Sequence, residues 1–138
     1  MQRSSSSNKG FSLVELIIVI SIMAVLIGIL APQFISYIHK SKVASDWANL
    51  KAYYSEIETD YVDNNGTPNP DVPTVDHSPG SDDKYRRREI KFLDGRTVKL
   101  KAGFYAVIFE NSGYQISYYC DKYKSDWDKH KTCVLTLG

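Results

Sequence analysis

The chain reads as an α+β protein in which one long N-terminal α-helix packs on an antiparallel sheet of four or five strands. Three observations predict it. From Leu16 to Ile38 there is no formal charge, a run long enough for one continuous helix. Directly after it, Val43, Trp47, Leu50, Tyr54, Ile57 and Tyr61 recur at alternating steps of four and three, an apolar stripe on one helical face. Beyond Lys84 the pattern changes to short apolar runs separated by turn residues. Helix is followed by strands rather than alternating with them.

Length and charge narrow the function classes. The 138 residues are 43% apolar and 24% charged, with a net charge of +1. That is one domain by length, and setting the apolar run aside leaves roughly 95–100 residues for a small core. Without its first ten residues the chain would carry 15 basic and 16 acidic side chains. So even a balance speaks against a dedicated nucleic-acid binder. Cys120 and Cys133, the two cysteines, lie close together near the C-terminus and fit a disulfide made in an oxidising compartment.

The N-terminal segment has its own physics. As a helix, Leu16–Ile38 would reach about 34 Å, against about 30 Å of bilayer hydrocarbon. A cleaved secretory signal fits poorly, because the run is too long and Ile29 spoils a small-x-small site ending at Ala31. Arg3 and Lys9 precede the span and predict that this end stays in the cytoplasm. Lys40, Lys42 and Lys51 follow it, but large domains translocate largely regardless of such charges. Glu15 stands just inside the apolar region, with Phe11, Leu13 and Val14 before it. A lone carboxylate at that depth costs about 2–3 kcal/mol. Its retention asks for a gain elsewhere.

A short basic leader ends in Gly10. Then come Phe11, the hydroxyl of Ser12, apolar residues, Glu15 as fifth residue after the glycine, and a long hydrophobic helix. Together these resemble the type IV pilin signature, closely over the N-terminal segment and by architecture over the rest. The resemblance implies that a membrane-embedded prepilin peptidase cuts between Gly10 and Phe11 on the cytoplasmic face and methylates the new amine of Phe11. A glycine before the scissile bond lets the backbone extend without a side chain in the cleft. In an assembled filament Glu15 would pair with the Phe11 amine of a neighbouring subunit, where low dielectric strengthens the attraction. Assembly would relieve the buried-charge penalty, and Glu15 would act as a register device.

Pro32 matches the helix-bending proline of many members of that family. It donates no backbone N–H and its ring crowds the Gly28 carbonyl, so Gly28–Pro32 is the expected weak point. The segment is expected to kink in the monomer and melt locally in a filament. Two residues depart from the family pattern: Ala24, where a flexible residue is common, and Ala52, where a second proline is frequent.

Past His39 the helix turns amphipathic, and Asp46, Lys51, Glu56 and Glu58 fall off its apolar stripe. "REIKFLDGRTVKL", residues 88–100, reads as a hairpin centred on Asp94-Gly95. A three-residue loop puts Phe92 opposite Val98 and Ile90 opposite Leu100. A two-residue turn would put them opposite Thr97 and Lys99, and burial favours the former. "FYAVIFENSGYQISYYC", residues 104–120, is expected as a second hairpin turning at Asn111-Ser112-Gly113, and "TCVLTL" as a last strand.

Between helix and sheet, roughly Asn64–Lys84 holds all but one of the five prolines. It is long for a connection inside a compact domain, which marks it as functional or mobile. In the family resembled, this is the variable αβ loop. Charge is segregated around it. From Glu56 to Asp83 there are eight carboxylates and no lysine or arginine, and from Lys84 to Lys101 eight basic residues against Glu89 and Asp94. One reading is solvated faces with pairing across the loop. The sharper one sets the acidic loop of one subunit against the basic hairpin of the next.

A Cys120–Cys133 bridge would enclose twelve residues, among them Tyr123, Trp127, four lysines and three aspartates. Such a closure is worth about 3 kcal/mol by constraining the unfolded chain. Many pilins carry a disulfide-bounded loop of this kind at the filament surface. Trp127 would either contact partners there or pack under its own loop. Zinc on Cys120, His130 and Cys133 lacks CxxC pairing. Calcium on Asp121, Asp126 and Asp128 lacks EF-hand spacing, although some secretion pseudopilins bind calcium in this region. His39, His77 and His130 are scattered, with no nucleophile or carboxylate arranged around them and no Gly-rich phosphate loop. No enzyme activity and no cofactor are expected.

The organisation read from this is a leader at 1–10, a transmembrane or filament-core helix at 11–40 and a globular domain at 41–138. The function it implies is a type IVa-like pilin. Such a subunit sits in the cytoplasmic membrane as a single-pass precursor with its N-terminus inside. A pilus assembly platform protein and a separate cytoplasmic motor then polymerise it into an extracellular homo-oligomeric helical filament for adhesion, twitching motility or surface colonisation. Two alternatives remain open at this point. One is a pseudopilin of a type II secretion or competence system. The other is a signal-anchored binding protein that never polymerises.

Overall fold

Helix α1 spans Leu13–Asp63, 51 residues without interruption. It is followed by β1 (Thr74–Val75), β2 (Glu89–Lys91), β3 (Thr97–Lys99), β4 (Gly103–Glu110), β5 (Gly113–Cys120) and β6 (Val134–Leu137). The computed structural model describes residues 10–76, 86–121 and 134–138. The chain divides into two compact units, Met1–Tyr37 and Ile38–Gly138.

Within the second unit α1 buries Leu50, Tyr53 and Ile57 completely, and half-buried Val43, Trp47, Tyr54 and Tyr61 pack beside them. The expected stripe is therefore real but rotated towards Tyr53 and Asp46. It faces Tyr105 and Val107 of β4 and Tyr114, Ile116 and Tyr118 of β5, with Ile90, Phe92 and Leu100 from the preceding hairpin. Aromatic edges fill the gaps: Tyr53 meets Phe92 at 5.7 Å and Tyr105 at 6.2 Å between ring centres. The helix ends where Asn65 turns left-handed (φ 54°). The Gly66 N–H then donates to the Tyr61 carbonyl and the Asn65 N–H to Val62. This pair of bonds satisfies carbonyls that the last turn would otherwise leave open.

The α+β class, a long helix on a mostly antiparallel sheet, is what the chain adopts. Among the described residues the sheet has four strands in the order β1-β4-β5-β6, and β1 runs parallel to β4. The hairpin β2–β3 stands apart as its own ribbon, joined to the sheet by a bridge between Arg87 and Tyr105. Strand β1 lies inside the segment read as a loop. Two residues give no periodicity to detect, and their partner Val107-Ile108 lies far along the chain.

Both turns differ from expectation in an instructive way. In the ribbon Ile90 pairs with Val98 and Lys91 with Thr97, with the Phe92 N–H donating to the Arg96 carbonyl. The loop has three residues as expected, but it is Leu93-Asp94-Gly95, so Phe92 does not face Val98, nor Ile90 Leu100. Burial had excluded only the two-residue turn. The expected and observed registers place the same side chains on the buried face, because a shift of one residue in each strand preserves parity. Turn chemistry decides between them. Gly95 takes a left-handed φ of 93°, and the Asp94 carboxylate accepts the Arg96 N–H. In the second hairpin Asn111 and Ser112 both have positive φ, a two-residue turn, and Gly113 already pairs with Glu110 in the ladder.

The largest correction concerns three carboxylates set aside as off the stripe. Asp46 is fully buried. It accepts the Lys101 N–H, the Ala102 N–H and the Tyr118 hydroxyl, each at 2.8 Å. Glu56 accepts the Leu93 N–H at 3.0 Å, and Glu58 the Tyr114 N–H at 2.9 Å. Acidic side chains of α1 thus satisfy backbone donors that the sheet and its loops cannot pair among themselves.

Candidate functional site

The helix begins where its chemistry allows. The Ser12 carbonyl accepts the first helical bond, from the Leu16 N–H at 3.1 Å. The Glu15 N–H donates to the Ser12 hydroxyl and the Ser12 N–H donates to Glu15 Oε2, both at 3.3 Å. Ser12-Leu13-Val14-Glu15 is thus a reciprocal capping box, with a carboxylate at the positive end of the helix dipole. Sequence reasoning passed over it, although the S-x-x-E spacing just before an apolar run was the signal.

Gly10 and Phe11 precede that cap, outside the helix, and Phe11 is 87% exposed. A Cβ at Gly10 would meet nothing, and its φ is not left-handed. The chain's own fold does not require glycine there. Beyond the cap the large apolar side chains remain bare, from Leu16 at 53% exposed to Ile35 at 47%. Among the described residues this is one helix long and apolar enough to cross a membrane. Ser21 returns its hydroxyl to the Ile17 carbonyl at 2.7 Å, so the apolar run carries no idle donor there. The helix continues through Pro32, whose missing N–H deprives the Gly28 carbonyl of its usual helical donor.

The structure therefore gathers Gly10, Phe11 and Glu15 at one end of α1 and sets Pro32 further along it. Cys120 closes β5, while Cys133 lies outside the described residues, as do Tyr123, Trp127, Asp126, Asp128, His130 and His77. Asp121, a candidate calcium ligand, is held by both guanidinium nitrogens of Arg88 at 2.7 and 2.8 Å. Those bonds, with the nearby positive charge, hold its carboxyl below the usual range. Among the described residues no group of three or more His, Cys, Asp or Glu side chains lies close enough to share a metal ion.

The basic stretch is partly occupied. Arg88 serves Asp121, Arg96 serves Asp94, and the Arg86 guanidinium lies 4.8 Å over the Phe104 ring. On the acidic side, Glu56 and Glu58 are used within the fold and Asp60 accepts the Asn69 side-chain amide at 2.9 Å. Asp82, Asp83 and Lys84, which belong to the same charge pattern, lie outside the described residues.

Residues 5–31 match the family model described as the prokaryotic N-terminal methylation motif. Over 55 residues the chain is 40% identical to the type IV major pilin protein PilA of Myxococcus xanthus (strain DK1622). That similarity covers 40% of this chain and 25% of the relative, so the chain matches about a quarter of the relative's length. No solved structure matches. The chain carries an N-terminal methylation motif, a class III signal, and is distantly homologous to a type IV major pilin.

Proposed function

We propose that this chain is a structural subunit of a type IV pilus. A membrane-embedded prepilin peptidase removes residues 1–10 by hydrolysing the Gly10–Phe11 bond and methylates the Phe11 amine. Residues 11–40 then form the filament core and 41–138 its globular surface. The subunit waits in the cytoplasmic membrane with its N-terminus inside, and an assembly platform protein with a cytoplasmic motor adds it to an extracellular homo-oligomeric filament for adhesion, motility or surface colonisation. A Cys120–Cys133 disulfide bounds the C-terminal segment. Among the described residues no cysteine is free, which supports that pairing.

The observation that carries the reading is the bare apolar helix opened by a single carboxylate. Its apolar surface needs a membrane or copies of itself. The cap engages Glu15 through Oε2. The charge is left for a cation, and cleavage before Phe11 creates one in each neighbouring subunit. Pro32 supports local unwinding at Gly28–Pro32 as copies pack.

The test is to shear surface filaments, purify them and determine the subunit's N-terminus and mass. A chain starting at methylated Phe11 is expected. An intact Met1, cleavage near Ala31, or the absence of this chain from filaments would overturn the proposal.

A further inference from the structure

Asp46 presents an uncommon arrangement: a fully buried carboxylate with three donors and, among the described residues, no ion pair. Burying an anion is costly unless donors surround it, so each bond here is expensive to lose. The bonds converge on one place. Tyr118 lies two residues before Cys120, and Ala102 returns its carbonyl to the Asp121 N–H at 2.7 Å, one residue after Cys120. Arg88 grips the Asp121 carboxylate and extends Nη1 to the Gly103 carbonyl at 3.4 Å. Gly103 itself must be glycine, since a Cβ would collide with the Tyr119 carbonyl and the Tyr118 ring.

We propose that Asp46 is a clamp through which α1 sets the point where the chain leaves the sheet after Cys120. The route runs from Asp46 to the Ala102 N–H and across that residue to its carbonyl, which accepts the Asp121 N–H, with Tyr118 held in parallel. Asp121, the residue after β5, is therefore held at a position dictated by the helix. The inference does not rest on the filament reading.

Amide hydrogen exchange on the full-length chain in detergent micelles tests it, with the Ile116 amide at the centre of the sheet as reference. Asp46→Asn removes one acceptor lone-pair set and the charge. Asp121 and Ala102 exchange should accelerate at least about tenfold more than Ile116, the loss expected for a bond to a charged group. Tyr118→Phe, which leaves the core volume almost unchanged, should produce a smaller acceleration at the same amides. Arg88→Gln releases the Asp121 carboxylate but should leave the Asp121, Ala102 and Lys101 amides protected, because these are held through Asp46 and Ala102. Unchanged Asp121 exchange in Asp46→Asn, or acceleration equal to that of Ile116 in both Asp46→Asn and Tyr118→Phe, would overturn the clamp.

Discussion

Ser12 and Glu15 hold each other at the start of α1, hydroxyl to amide and amide to carboxylate. Glu15 therefore has two separable properties, an acceptor oxygen for the cap and a charge. Glu15→Gln keeps the first and loses the second. If charge pairing with the Phe11 amine drives assembly, Glu15→Gln and Glu15→Leu both leave stable membrane-inserted subunit with few or no filaments. Glu15→Asp should be intermediate, since its charge survives and its reach shortens. Sheared-filament yield against total subunit measures this; a normal yield from Glu15→Gln would show that the charge is not needed, and a low one from Glu15→Leu beside it that the cap is.

The buried tyrosines predict an alkaline limit. Burial pushes Tyr105 up to about 12 from 10.0 and also raises Tyr53 and Tyr118, the last with help from the Asp46 carboxylate. Each holds its proton more tightly folded than unfolded. The contribution of each is fully present below pH 10 and falls as pH rises, that of Tyr105 being lost by about 12 and those of Tyr53 and Tyr118 at higher pH. Denaturant midpoints should fall steadily across that window. Absorbance at tyrosinate wavelengths should show these rings ionising only with unfolding; early ionisation of all ten tyrosines would contradict the packing.

Tyr53 has a second peculiarity: its hydroxyl is buried and, among the described residues, lacks a hydrogen-bond partner. Tyr53→Phe removes an unsatisfied group and retains the ring contacts with Phe92 and Tyr105. A gain of about 1 kcal/mol in unfolding free energy is expected. A loss of similar size would mean that the hydroxyl is satisfied after all.

For the proposed disulfide, Cys120→Ser should cost about 2–5 kcal/mol in the globular unit. Native material should lack reactive thiols. Ready labelling of both cysteines without denaturant would remove the bridge from the account.

Local chemistry alone was enough for much of this protein. The uncharged run from Leu16 to Ile38, the helical periodicity to Tyr61 and the register of Gly10, Phe11 and Glu15 are properties of near neighbours, and each was legible. So was the parity of the β2–β3 ribbon, because alternation decides which face is buried. What tertiary structure decided was everything that depends on distant donors and acceptors. The ribbon's register turned on Gly95 adopting a left-handed backbone and on Asp94 reaching the Arg96 amide, while burial scored both registers alike. Strand β1 exists because β4 offers an edge to it. Asp46, Glu56 and Glu58 looked like a solvated helix face, since a carboxylate's burial depends on which amides the rest of the chain leaves unpaired. Those amides, at Lys101, Ala102, Leu93 and Tyr114, lie 37 to 56 residues away in sequence. No periodicity within the helix carries that information, because hydrogen bonds of such range are chosen only once the sheet has closed on the helix.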